Sequence, residues 1–174
     1  MKTLEDYVVS IPDFPEDGII FRDITTVVQD PEGLKLAIDT MIGFLDGVDF
    51  DMVVGPEARG FIFGMPIAYN LGKGFVTIRK KGKLPRETVE QEYDLEYGKA
   101  TIEIHKDAIR PGQKVVIVDD LLATGGTMEA NIKLVESLGG TVVKVIFLIE
   151  LAGLKGRERL AGYGVDSAII YDGK

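Results

Sequence analysis

Apolar positions along the chain follow two rhythms. Short apolar runs at Met52–Val54, Phe75–Arg79, Lys114–Val118, Thr141–Leu148 and Ser167–Tyr171 read as strands. Val115 to Val118 is unbroken and β-branched, the pattern of a strand buried on both faces. Ala100, Ile102 and Ile104 instead alternate with Thr101, Glu103 and His105, which predicts a half-buried strand. Helical spacing governs the segments between. Leu34, Ala37, Ile38, Met41, Ile42 and Leu45 form one stripe behind an Asp30-Pro31 start. Thr127–Leu138 carries a second stripe and stops at Gly139. Phe61–Leu71 reads as a helix despite Gly64 and Pro66, and shorter helices are expected at Thr3–Val9 and Lys155–Leu160. Pro12 and Pro15 make Ile11–Asp17 an extended connection. Lys80–Lys99 is polar, contains Pro85 and has no clean period, so it reads as a flexible excursion or long hairpin.

Strands alternating with helices predict an α/β fold: a mostly parallel twisted sheet flanked by helices on both faces, in one domain over 1–174. In such sheets ligands bind beyond the carboxyl ends of the strands. Three loops leave strands there with distinctive chemistry: the turn after Val54, the basic loop after Ile78 and the acidic–glycine turn after Val118. If their strands are neighbours, the loops share one rim.

Charge and composition narrow the chemistry. The formal net charge is −8, which disfavours general nucleic-acid binding, yet Arg79-Lys80-Lys81-Gly82-Lys83 with Arg86 forms a local basic patch. Such a patch on an acidic protein points to a specific polyanion. Cysteine is absent, so disulfides and thiolate metal sites are excluded and a cytoplasmic setting is expected. No apolar run opens the chain or reaches the ~18 residues a membrane span needs, so neither an export signal nor a membrane partner is expected.

Lys114–Thr127 is the most informative string. A buried strand ends in Asp119 and Asp120, and Ala123-Thr124-Gly125-Gly126-Thr127 then opens a helix. Free backbone N–H groups at such a turn attract an anion. Two carboxylates beside it repel bare phosphate but accept hydrogen bonds from a sugar diol. The string therefore predicts a sugar-phosphate site. An ATPase would need a Gly-Lys-Ser/Thr loop, and none of the Gly-Lys pairs here precedes Ser or Thr. A receiver-type phosphoacceptor would not need the Gly-Gly-Thr turn. His105, the only histidine, sits on the polar phase of its strand and reads as structural.

Val115-Val116-Ile117-Val118-Asp119-Asp120-Leu121-Leu122-Ala123-Thr124-Gly125-Gly126-Thr127 resembles the phosphoribosyl pyrophosphate (PRPP) motif of the type I phosphoribosyltransferases. Further strings resemble the adenine-specific family among them: Phe14-Pro15 with Gly18-Ile19-Ile20-Phe21-Arg22-Asp23-Ile24, Ile78 to Pro85, Leu95-Glu96-Tyr97-Gly98-Lys99, and Glu150-Leu151 with Leu154-Lys155-Gly156-Arg157. The resemblance implies transfer of the phosphoribosyl group of PRPP to adenine, giving AMP and pyrophosphate. A 6-oxopurine enzyme and a non-catalytic PRPP-sensing regulator are the alternatives.

The resemblance also implies roles. Asp119 and Asp120 would hold the ribose hydroxyls, and Ala123, Thr124, Gly125, Gly126 and Thr127 the 5′-phosphate. Arg59, Arg79, Lys80 and Lys83 would face the pyrophosphate, some of that charge arriving from a second subunit of a homodimer. Phe21 and Leu151 would sandwich adenine while backbone groups of Ile20 and Arg22 read its edge. Glu96 would meet N7, with Tyr97 beside it on the loop over about 80–99. Mg²⁺ would enter with PRPP rather than on protein ligands. A small hood would come from about 1–30 and 148–174. Arg157 and Arg159 read as solvated or interfacial.

Overall fold

Residues 1–95 and 97–173 are described by the computed structural model. Nine strands form two sheets among these residues: β1 (Val9–Pro12), β2 (Ile20–Asp23), β3 (Met52–Pro56), β4 (Gly74–Lys80), β5 (Thr88–Asp94), β6 (Lys99–His105), β7 (Lys114–Leu122), β8 (Thr141–Leu151) and β9 (Val165–Tyr171). Five helices accompany them: α1 (Thr25–Gln29), α2 (Pro31–Gly43), α3 (Arg59–Asn70), α4 (Gly126–Ser137) and α5 (Gly156–Arg159). The main sheet has the order β5-β6-β4-β3-β7-β8-β9, and β4, β3, β7, β8 and β9 run parallel. β6 is antiparallel to both β4 and β5.

The unbroken apolar runs follow from burial on two sides. Val116, Val118, Ile146 and Leu148 pack with Ala37, Met41, Phe63 and Ile67 of α2 and α3 on one face. Their neighbours Val115, Ile117, Val145 and Phe147 pack with Met128, Ile132 and Val135 of α4 on the other. Each strand thus feeds alternate side chains to two cores. Asp30 caps α2 by accepting from Glu32 N–H and Gly33 N–H at 2.9 and 3.0 Å, with Pro31 at the first helical position. α3 runs through Pro66 because Phe63 and Ile67 on either side are fully buried. Burial at about 1.5–3 kcal/mol each offsets the ~3 kcal/mol of an interior proline.

The amino-terminal reading needs correction. Only Leu4–Tyr7 is helical, as a 3₁₀ turn, and the chain is already a strand at Val9. β-branched Val8 and Val9 and the approaching Pro12 favour extension, and β1 pairs with β2 as an antiparallel hairpin. α1 follows at once, started by Asp23, whose carboxylate accepts from the Thr25 N–H and hydroxyl at 2.8 and 2.7 Å. The polar excursion after Lys80 takes the form of the long hairpin: β5 and β6 pair from Thr88↔His105 to Asp94↔Lys99, while 81–87 is turn and irregular chain. Among the described residues no helix is long and apolar enough to cross a membrane.

Candidate active site

β3 lies between β4 and β7, all parallel, so the loops leaving these strands converge as their chemistry required. β7 continues past Val118, and Asp119 and Asp120 sit on the strand itself, Asp119 paired with Phe147 of β8. Asp120 is 5% exposed and ion-pairs with Arg59, its Oδ2 2.9 Å from Nε. Asp119 Oδ1 accepts the Asp120 N–H at 2.8 Å. Burial, and then the charge of Asp120, pushes the Asp119 carboxyl well above its ordinary range.

Beyond β7 the chain turns through Ala123, Thr124 and Gly125. Gly125 adopts a φ of +86°, a region that admits glycine freely, and caps α4. Opposite it, the peptide between Glu57 and Ala58 is cis, and α3 begins at Arg59. Glu57 Oε1 accepts the Lys80 N–H at 2.7 Å and lies 3.3 Å from Arg79 Nε, tying the basic loop to this corner.

Two cavities open on the rim. The larger, about 540 Å³, is lined by Glu57, Ala58 and Arg59 on one side and by Asp119 to Met128 on the other. It offers an anion-binding turn, a guanidinium and two carboxylates. The smaller, about 150 Å³, is lined by Ile19, Ile20, Phe21, Arg22, Ile24, Ile149 and Leu151, and shares Arg59, Asp120 and Leu121 with the first. Its walls are mostly apolar, with the Arg59–Asp120 pair at the shared edge. A polar chamber thus opens beside an apolar slot sized for a flat ring.

Most expected site residues therefore meet. Arg59, Asp119, Asp120, Ala123, Thr124, Gly125, Gly126 and Thr127 line the larger cavity, and Ile20, Phe21, Arg22 and Leu151 the smaller. Arg79 reaches the corner through Glu57, and Lys80 through its backbone. Lys83 and Tyr97 line neither cavity, and Tyr97 is 88% exposed. Glu96 lies outside the described residues. Arg22 places its guanidinium 3.8 Å from the Tyr171 ring centre and donates to Ser10 Oγ, bracing the hairpin against β9.

Glu57 was not foreseen: a lone acid in a loop carries no periodic signal, and its place in the cavity wall and its contact with the basic loop mark it only in the fold. Arg157 and Arg159 are half in water, as expected of tail arginines, but each is also paired. Arg157 bonds both oxygens of buried Glu150, and Arg159 pairs with Glu129.

Fold and site together set a polar chamber with a glycine turn, a guanidinium and two carboxylates beside an apolar slot, on one rim of a parallel sheet. The phosphoribosyl transferase domain model matches residues 28–174, and the chain belongs to that family. Within it, the chain falls among the adenine phosphoribosyltransferases. The one from Lachnoclostridium phytofermentans is 68% identical over 174 residues, covering 100% of both chains. The crystal structure of the Thermoanaerobacter pseudethanolicus adenine phosphoribosyltransferase superposes with a TM-score of 0.93 at 55% identity, covering 97% of this chain and 100% of that one. The Saccharomyces cerevisiae adenine phosphoribosyltransferase, complexed with an imino-altritol bisphosphate and adenine, matches at TM-score 0.90 and 40% identity, over 95% of this chain and 96% of that one.

Proposed function

We propose that this chain joins adenine to PRPP, releasing pyrophosphate and forming AMP. The carrying observation is the pair of cavities meeting at Arg59, Asp120 and Leu121. A donor in the larger would present its anomeric carbon to a base in the smaller. In the reaction the C1′–O bond to pyrophosphate breaks and adenine N9 bonds to C1′. Positive charge develops on the ribose and negative charge on the departing group. Asp119 and Asp120 would accept from the ribose hydroxyls and stabilise the cationic sugar. The turn from Ala123 to Thr127 would anchor the 5′-phosphate, and Arg59, with Arg79, Lys80 and Lys83 from the basic loop, would receive the pyrophosphate. Phe21 and Leu151 would hold the base between them, with Ile20 and Arg22 at its edge. Glu96 would take or share the N7 proton as N9 attacks, with Tyr97 beside it.

Mg²⁺ fits this site as a companion of the donor. Among the described residues no three His, Asp or Glu side chains cluster as ligands. The donor's own oxygens would carry the ion, in the cavity that Asp119 and Asp120 line. When bound, it neutralises leaving-group charge.

We place the active form as a homodimer. Ile62, Met65 and Tyr69 lie on one face of α3, and Tyr69 is 85% exposed. An exposed apolar stripe of this kind marks an association surface.

The test is AMP formation from adenine and PRPP with Mg²⁺, run beside hypoxanthine and xanthine. Adenine is expected to turn over preferentially. Preference for a 6-oxopurine, or no turnover with any base, overturns the reading. Replacing both Asp119 and Asp120 by Ala is expected to abolish PRPP binding. Glu96→Gln should lower kcat by about 10²-fold or more while leaving PRPP affinity near native.

A further inference from the structure

The tail reaches back to the phosphate turn from outside the cavity. Lys155 takes a left-handed φ of 56° and redirects the chain so that Gly156 seats directly on the turn. A methyl group at Gly156 would collide with the Ala123 carbonyl oxygen and lie 2.8 Å from Leu122 Cδ1. From the other side, a methyl group at Gly125 would lie 2.8 Å from the Gly156 carbonyl oxygen and 3.3 Å from Arg159 Cβ. One at Gly126 would lie 3.4 Å from Arg159 Nη1. The Arg159 side chain thus lies along the backbone of both glycines. Its Nε donates to Glu129 Oε2 at 2.8 Å, in the first turn of α4. One side chain spans the turn and the helix whose free N–H groups the turn presents.

We propose that Arg159 is a positioning residue for the phosphomonoester end of the substrate, holding Gly125 and Gly126 from behind while pairing with Glu129. The inference rests on the phosphoribosyl reading above. Neither Arg159 nor Gly156 lines the cavity, so the effect passes through the turn. Two consequences separate it from general stability. Anchoring of the 5′-phosphate depends on the amides keeping their arrangement, so ligands with that phosphate feel the loss. Adenine and pyrophosphate, held by other residues, do not. The charge matters as well. Asp119, Asp120 and Glu129 surround this turn with carboxylates, and Arg159 offsets Glu129, leaving the amide field to the incoming dianion.

The test titrates ribose 5-phosphate, AMP, pyrophosphate and adenine into the native chain and into Arg159→Met, Arg159→Lys and Glu129→Gln, with steady-state kinetics alongside. Arg159→Met keeps most of the stem and removes the charge. It is expected to weaken ribose 5-phosphate and AMP, and to raise the KM for PRPP, about five- to tenfold. kcat should stay within about twofold and the KM for adenine should not move. Arg159→Lys should recover most of the affinity, since an ammonium can still pair with Glu129. Glu129→Gln alone should leave the same ligands at native affinity or tighter, and the double variant with Arg159→Met should recover part of the affinity that Arg159→Met loses, since no carboxylate is then left without its offset. Native affinity for ribose 5-phosphate in Arg159→Met overturns the proposal. So does a parallel rise in the KM values for PRPP and adenine. A native chain that ignores ribose 5-phosphate instead defeats the phosphoribosyl reading, and this inference with it.

Discussion

Asp119 sits in a position that costs stability. Half-buried in the wall of the larger cavity beside Asp120, its carboxyl is pushed toward the neutral form by desolvation and by the neighbouring charge. A raised pKa in the folded state means the native protein loses stability as pH rises through that value. Asp119→Asn keeps an oxygen for the Asp120 N–H and removes the repulsion. It should raise Tm near neutral pH, by about 2–4 °C for each kcal/mol relieved, while PRPP binding falls. The Tm gap between variant and native should close on acidification, as native Asp119 takes up its proton. A variant melting below native at neutral pH would contradict this electrostatic account. Arg59 shows why the next residue inward resists conservative change. Lysine at 59 keeps the charge but cannot reproduce a planar guanidinium paired with Asp120 through Nε. Arg59→Lys should raise the KM for PRPP about tenfold, measured with adenine saturating.

At the scale of elements, β3, β7, β8 and α4 were legible because their apolar runs and stripes are long and feed two cores. The Asp-Asp…Gly-Gly-Thr string located the larger cavity because its chemistry is contiguous in sequence. The smaller cavity was legible only through resemblance. Its walls come from the hairpin strand β2 and from the ends of β7 and β8, which no single stretch of chain brings together. The β1–β2 hairpin is short, mostly exposed and proline-flanked, so it carries no burial rhythm. Arg157 and Arg159 looked like ordinary surface charges because their partners lie 7 and 30 residues away. The Arg157–Glu150 pair is expected to hold the end of β8 that carries Leu151. Hydrogen bonding from Arg157 keeps the Glu150 carboxyl below its ordinary value of 4.5, so the pair's contribution is present above that pH and fades as pH falls through the lowered value. Arg157→Leu should cost about 1–2 kcal/mol in urea unfolding near neutral pH, less than a fully buried pair because Arg157 remains half in water. It should also raise the KM for adenine more than that for PRPP.

For the whole molecule, topology decides where chemistry can lie. Five parallel strands carry their carboxyl ends to one rim, and both cavities are there. The α3 face with Met65 and Tyr69 leads to a prediction about assembly: native protein should sediment as a dimer, and Met65→Glu with Tyr69→Glu should give folded monomers. A native monomer at micromolar concentration would rule out this interface. The same parallel order puts the opposite end of the sheet away from both cavities. There the chain merely reverses into β3 and β4, through exposed turns such as Asp46–Gly47 and Gly72. An affinity tag or surface tether spliced at Asp46–Gly47 should therefore leave turnover unchanged, so the enzyme could be fixed to a bead with its working rim facing the solution.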